Sequence, residues 1–201
     1  MGLDVTLCQF RNLDTEAILK FSRFSSEPWA LRAGASDRLK AGARDLGLPE
    51  SIICEPYFGG ERISFPSKKY PKWPPVGDWS SFGTTRELIE HFTGKNFYFI
   101  FPEAECDPAY LRPDWSASRK RLVDILDVIQ KLHPRQMESF VGVFIKPNIP
   151  PYLLEKVKPT DYATPRQLVA GEVAEIEVMI ETLDYVLDHE HPHQFLLRWS
   201  V

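Results

Sequence analysis

The distribution of proline constrains this chain more than any other feature of its sequence. Of the 17 prolines, six fall in residues 49–75 and five in residues 147–165. Proline fixes φ and lacks a backbone N–H, so it interrupts helix interiors and central strands. The proline-free spans 76–101, 114–133 and 166–191 are therefore where long regular elements are expected.

Capping residues and apolar spacing predict the helices. Shorter helices are expected from Asp14 and Ser36, each of which precedes a periodic segment. Longer helices are predicted over 84–93, 114–133 and 165–188, where apolar residues recur at intervals of three and four. Pro165 fits the first turn of the last of these, because the missing donor is unpaired there in any case.

Strands are predicted where apolar residues alternate or run together between turn residues. Leu3–Phe10 alternates and indicates a strand with one buried face. The other predicted strands are 51–54, 62–65, 96–101, 139–146 and 194–199. Strands and helices do not alternate strictly, which disfavours a doubly wound parallel sheet. We predict one α+β domain over residues 1–201, with a mixed or mainly antiparallel sheet of about five to six strands and about four helices.

Charge and cysteine content exclude several classes of protein. The net charge of −4 argues against general nucleic-acid binding, which depends on neutralising phosphates. Three widely spaced cysteines argue against a disulfide framework and indicate free thiols in a reducing compartment. The sequence has neither an apolar leader nor a run long enough to span a membrane, so a cytoplasmic protein without membrane contact is expected.

The sequence lacks the common catalytic motifs. The patterns GxxxxGK[ST], GxGxxG, GxSxG and HExxH do not occur, so no cofactor and no catalytic residue is predicted from a motif. His189, His191 and His193 form the most conspicuous group of metal-ligand side chains. They fit either an exposed turn after a helix or, as a weaker candidate, a metal site.

Residues 49–82 form a segment rich in proline and aromatic residues, which we interpret as a long loop or an insertion. Aromatic side chains beside lysines anchor protein interfaces, and they also stack on nucleotides or simply hold a loop in place. The residues predicted to bind a partner or ligand are Lys68, Lys69, Tyr70, Trp73, Asp78 and Trp79.

Acidic residues concentrate in the C-terminal part of the chain. Residues 122–201 hold 12 acidic and 7 basic side chains. This fits a solvated helix face or a docking surface for a basic partner. The apolar stripe over 169–187 fits a core helix or a short coiled coil, which leaves a homodimer open.

Both ends of the chain resemble a group of uncharacterised bacterial and phage-borne proteins that begin MGLD and end in an aromatic xxLxWSG strand. The matching pieces are MGLDVTL at 1–7 and QFLLRWSV at 194–201. Residues 67–71 with 77–81 are similar to the group's S-x-K-Y-P…G-Y-F-R-S-S segment, with Ser80 in place of arginine. The resemblance implies a small cytoplasmic protein of mobile elements whose shared surface is 67–81, and it implies no catalytic activity.

Two functional hypotheses follow. The first is a non-enzymatic protein-interaction module, such as an inhibitor or immunity-type protein of phage or mobile-element origin. The second is an enzyme or binding protein for a small anionic or phosphorylated ligand that uses the 67–82 loop. The second requires convergence of Lys68, Lys69 and Asp78, with His91 or Glu103 as the acid–base group.

Overall fold

The computed structural model describes residues 4–25, 35–54, 57–71, 75–79, 83–105, 109–140 and 165–200. Within these ranges no helix combines the length and the apolar character that a membrane span requires. The predictions for Trp73 and for a strand beyond Phe140 lie outside the described residues.

Seven strands and seven α-helices form in the described residues. The strands are β1 Asp4–Gln9, β2 Glu61–Ile63, β3 Phe65–Pro66, β4 Pro75–Val76, β5 Asp78–Trp79, β6 Tyr110–Leu111 and β7 Phe195–Ser200. The helices are α1 Thr15–Ser25, α2 Ala35–Asp45, α3 Gly83–Thr93, α4 Phe97–Ile100, α5 Trp115–Ile129, α6 Pro134–Phe140 and α7 Pro165–Leu187. Three short 3₁₀ helices span Glu50–Cys54, Pro102–Ala104 and Pro192–Gln194.

Five strands form one antiparallel sheet, and β3 pairs with β4 beside it. β1 lies in the middle of the five and pairs along its whole length with β7, which pairs in turn with β6. On its other side, β1 pairs first with β5 (Val5 opposite Trp79) and then with β2 (Leu7 opposite Ile63). The predicted α+β class with a mainly antiparallel sheet is confirmed.

Helices cover both faces of this sheet. Val5 and Leu7 of β1 point into a large core that includes residues of α3, α5 and α7. Cys8, on the other face, joins a smaller core with residues of α1 and α2. The prediction of a single buried face for the first strand is therefore wrong, because a second helical layer buries the alternate residues as well.

The apolar stripe of α7 packs within the chain. Ile176, Ile180 and Leu183 belong to the larger core, where α7 packs against α5. The middle of the stripe is thus covered by the chain's own residues, as expected for a core helix, whereas Leu187 at its end is 38% exposed. It gives no support to the coiled-coil alternative.

Two predicted strands, and the two described residues of a third, are helical instead. The run 96–101 contains α4, because the side chain of Asn96 accepts a hydrogen bond from Phe99 N (3.0 Å) and caps a turn. Residues 51–54 belong to a 3₁₀ helix, in which Ile52 N donates to Pro49 O (3.0 Å). Residues 139–140 end α6. Apolar runs of this length fit a buried helical turn as well as a strand, so periodicity alone does not separate the two.

Residues 66–79, predicted as loop, contribute β4 and β5 to the sheets. Gly77 permits this path with a positive φ of 84°, and an added Cβ would lie 2.3 Å from Ile63 O. The carbonyl of Gly77 accepts a hydrogen bond from Leu7 N (2.7 Å), and the N–H of Gly77 donates to the side chain of Thr182 on α7 (3.0 Å). The segment is therefore fixed between the central strand and the longest helix.

Candidate functional site

Four carboxylates form one stripe along α7. Glu177, Glu181, Asp184 and Asp188 follow one another at intervals of four, three and four residues. This spacing places them on a single side of a helix. Four of the 12 acidic side chains of residues 122–201 therefore lie together in one acidic stripe.

The segment Ser67–Tyr70 docks onto this acidic stripe. Ser67 Oγ donates to Glu181 (2.6 Å), and the backbone N–H of Lys68 donates to the same carboxylate (3.1 Å). Lys69 Nζ lies 2.7 Å from a carboxylate oxygen of Glu177, to which the hydroxyl of Tyr70 also donates. Two surfaces that the sequence analysis treated separately therefore bind each other.

The contacts with Glu177 favour the protonated forms of both partners. The hydrogen bond to Glu177 raises the pKa of Lys69 against an opposing effect of burial, and the charge of Glu177 adds to the rise. Burial, followed by the hydrogen bond to Glu177, raises the pKa of Tyr70. Both side chains therefore remain donors at neutral pH, which keeps the docked segment in place.

Arg119 of α5 supplies the third contact to the acidic stripe. Its guanidinium pairs with Asp184, and this bond raises the pKa of Arg119. The ion pair joins the two helices that form the centre of the larger core. Sequence analysis missed it, because nothing local to α5 or α7 indicates which helices will be neighbours.

An open groove of about 610 Å³ lies between the docked segment and the C-terminal end of α7. Phe65 and Tyr185 form an aromatic part of its lining, with ring centroids 5.2 Å apart. We call this the α7 groove, and the residues that line it are Phe65, Lys68, Lys69, Glu181, Asp184, Tyr185, Asp188 and His189.

The acidic stripe carries more charge than its contacts neutralise. Its four carboxylates meet two cationic side chains, Lys69 and Arg119. Among the described residues, none makes a hydrogen bond or an ion pair with the Asp188 carboxylate, which is exposed at the end of the helix. The negative end of the helix dipole adds to the field there. Lys68 also lines the α7 groove, so it is the end of the groove at Asp188 that is suited to a cation.

Asp78 and Trp79 do not join this groove. Trp79 is 1% exposed and lies in the larger core opposite Val5, so it presents no surface to a partner. Asp78 is buried on the other face of the sheet, where it accepts from Thr6 Oγ1 (3.1 Å) and pairs with Arg62. The structure thus brings together Lys68, Lys69 and Tyr70 but separates them from Asp78 and Trp79.

The proposed acid–base residues also lie elsewhere. Glu103 accepts from Asp114 N (3.1 Å) at the start of α5. His91 packs against Phe92 and Phe140, with ring centroids at 4.7 and 5.5 Å. The pocket that the second hypothesis required, with Lys68, Lys69 and Asp78 together, is not formed.

The three histidines follow α7 in a turn. The centroids of His189 and His191 are 6.3 Å apart, and those of His191 and His193 are 5.7 Å apart. His189 Nδ1 accepts from His191 N (3.0 Å), so one potential ligand atom is already engaged. Across the described part of the chain, no group of His, Cys, Asp or Glu side chains has the arrangement to hold a metal ion. The weak metal candidate is therefore not supported.

Comparison with protein-family models, with curated proteins and with solved structures finds no match to this chain. The resemblance of its two ends to the MGLD group remains a prediction.

Proposed function

We propose that this chain is a non-enzymatic protein-interaction module that binds a basic segment of a partner protein in the α7 groove. The observation that carries the proposal is the carboxylate of Asp188, which has no bonded partner among the described residues and lies beside an aromatic lining. Inhibitors and immunity-type proteins act in this way, by occupying a partner without a chemical step.

The groove suits a lysine or an arginine of the partner. The alkyl part of such a side chain packs against Phe65 and Tyr185, and its charged end reaches Asp188 at the rim. A guanidinium over an aromatic ring gains about 0.5–1 kcal/mol, and an exposed ion pair gains about 0.2–1 kcal/mol. One side chain therefore binds weakly, and useful affinity requires a segment with several contacts.

The same charges disfavour the alternative of an anionic ligand at residues 67–82. Lys69 is held by Glu177, whereas Lys68 is bonded to Glu181 through its backbone N–H and not through its ammonium group. An anion in the α7 groove would approach three carboxylates, those of Glu181, Asp184 and Asp188, against the single ammonium group of Lys68. We therefore favour the cationic partner.

The proposal is tested by NMR titration of the full chain with a blocked tri-arginine peptide at low salt. A tri-citrulline peptide, which has nearly the same shape and no charge, is the matched ligand. We expect tri-arginine to shift the backbone signals of Lys68 and of residues 184–189. We expect Asp188→Asn to weaken binding about threefold, the effect of losing one exposed ion pair.

Glu90→Gln is the control variant, because it removes one exposed carboxylate from α3, away from the groove. Equal weakening by the two variants would indicate a general charge effect and would contradict the proposal. Equal binding of tri-citrulline and tri-arginine would contradict it as well.

A further inference from the structure

A row of polar side chains crosses the sheet on the face opposite α7. Thr6 of β1 lies opposite Asp78 of β5 on one side and opposite Arg198 of β7 on the other. Arg198 in turn lies opposite Tyr110 of β6. Side chains in register on neighbouring antiparallel strands project from the same face, so these four are neighbours across the sheet.

Arg62 enters the same patch from β2, opposite Cys8 in the adjacent row. Its guanidinium pairs with Asp78, whose second oxygen accepts from Thr6. Burial lowers the pKa of Arg62, but the contacts with Asp78 and Tyr57 raise this pKa by more, so the net shift is upward. A guanidinium has five N–H donors, and its side chain remains 46% exposed, so Arg62 has donors left for a ligand.

Arg198 is held differently. Its guanidinium lies over the ring of Tyr57, with Cζ 4.7 Å from the ring centroid. Among the described residues, none forms an ion pair with Arg198. Both arginines lower the pKa of the Cys8 thiol against the larger effect of burial, so both positive charges act on the same site between the strands.

The patch therefore holds two guanidiniums and one buried carboxylate. Asp78 neutralises one positive charge and leaves a surplus of one beside Tyr57. The exposed Asp4 lies in the next row of the same face and makes a contact of its own. Two like charges near each other on a rigid sheet repel, and an anion placed between them removes that repulsion.

We propose that Arg62 and Arg198, with Tyr57 between them, form a binding site for the phosphate group of a small ligand. Guanidinium groups match the oxygens of phosphate with paired, charge-assisted hydrogen bonds. Strands hold both arginines, so the site needs little reorganisation on binding. The site lies on the opposite face of the sheet from the α7 groove, and it does not depend on the function proposed for that groove.

The site is tested on the full chain by calorimetric titration with inorganic phosphate and with O-phosphoserine, against sodium chloride of equal ionic strength. We expect both phosphates to bind and chloride not to. We expect Arg198→Gln to reduce phosphate affinity at least tenfold, and Arg62→Lys to reduce it several-fold, since lysine keeps the charge for Asp78 but loses the planar fork. Far-UV circular dichroism confirms that each variant is folded.

Arg135→Gln on α6 is the matched control, because it removes one exposed arginine far from this sheet face. Two results would overturn the proposal: a wild-type chain that binds phosphate no better than chloride, or an equal loss in the control variant. Acetate binding as tight as phosphate would overturn the assignment of the ligand class. Tri-arginine binding in the α7 groove is measured separately and is expected to survive Arg198→Gln.

Discussion

At the scale of single residues, Glu172 and Glu175 of α7 are the most unusual ionisable groups. They lie three positions apart, and both are more than nine-tenths buried. Thr85 donates to Glu172, whereas one oxygen of Glu175 is buried without a hydrogen-bond partner in the described structure. Burial, with a smaller contribution from the charge of Glu172, raises the pKa of Glu175 to about 7.

We expect this carboxyl group to make stability depend on pH. The folded state holds the proton up to about pH 7, whereas the unfolded chain releases it near 4.5. The free energy of unfolding therefore falls as pH rises between these two values, by at most about 3 kcal/mol, and changes little at higher pH. Glu175→Gln is expected to be more stable than the wild type at pH 8 and similar to it at pH 4, as measured by urea unfolding.

The matched control for that measurement is Glu138→Gln, which changes an exposed glutamate on α6. It should leave the difference between the two pH values unchanged. If Glu175→Gln shifted stability equally at pH 4 and pH 8, a packing effect and not ionisation would be responsible.

At the scale of elements, the docking of Ser67–Tyr70 on α7 depends on Ser67. Its side chain is 2% exposed, and its Oγ both donates to Glu181 and accepts from the backbone N–H groups of Lys69 (3.2 Å) and Tyr70 (3.0 Å). One hydroxyl thus shapes the turn and fixes it to the helix. The sequence predicts this segment as a surface for partners but carries no signal for its contact with α7, over 100 residues away.

We expect Ser67→Ala to destabilise the chain by about 1–2 kcal/mol, because the variant leaves donors and an acceptor without partners. Amide hydrogen exchange should become faster at Lys69 and Tyr70 in particular. Ser139→Ala, at an exposed position on α6, is the control. Unchanged exchange at both amides would show that the segment is held by its other contacts.

At the scale of the whole molecule, the segment after the docked turn becomes part of the core. Trp79 pairs with Val5 on the central strand, and Gly77 contacts both that strand and α7. A tryptophan in a segment rich in proline resembles an interface anchor in sequence. Its burial follows only from the pairing of β5 with β1.

Trp79→Ala is therefore expected to lower the free energy of unfolding by about 3–5 kcal/mol, as in other large-to-small core changes. Tyr98→Ala, which changes an aromatic residue that is 38% exposed, should cost far less. Denaturant unfolding of both variants measures these two changes in the free energy of unfolding. A stable, cooperatively folded Trp79→Ala variant would contradict the placement of this residue in the core.

Elements whose signals are local can be predicted from the residues of the chain alone. Asp114 caps α5 by accepting from Ala117 N (3.0 Å), and the stripe of α7 packs inward as its spacing predicts. The strands at the two ends of the chain were also recognisable from their own residues. Short apolar runs such as 96–101 could not be assigned in this way, because a buried helical turn and a buried strand need the same residue types.

Which surfaces remain available depends on contacts between distant parts of the chain. The pairing of β1 with β7 joins residues about 190 positions apart, and the contact of Ser67 with Glu181 joins residues 114 apart. Sequence patterns show which face of an element is polar or charged, but they do not show what packs on it. For this reason the lysines of the docked segment proved to be partners of α7, while Asp188, Arg62 and Arg198 emerged as candidate binding residues only in the folded chain.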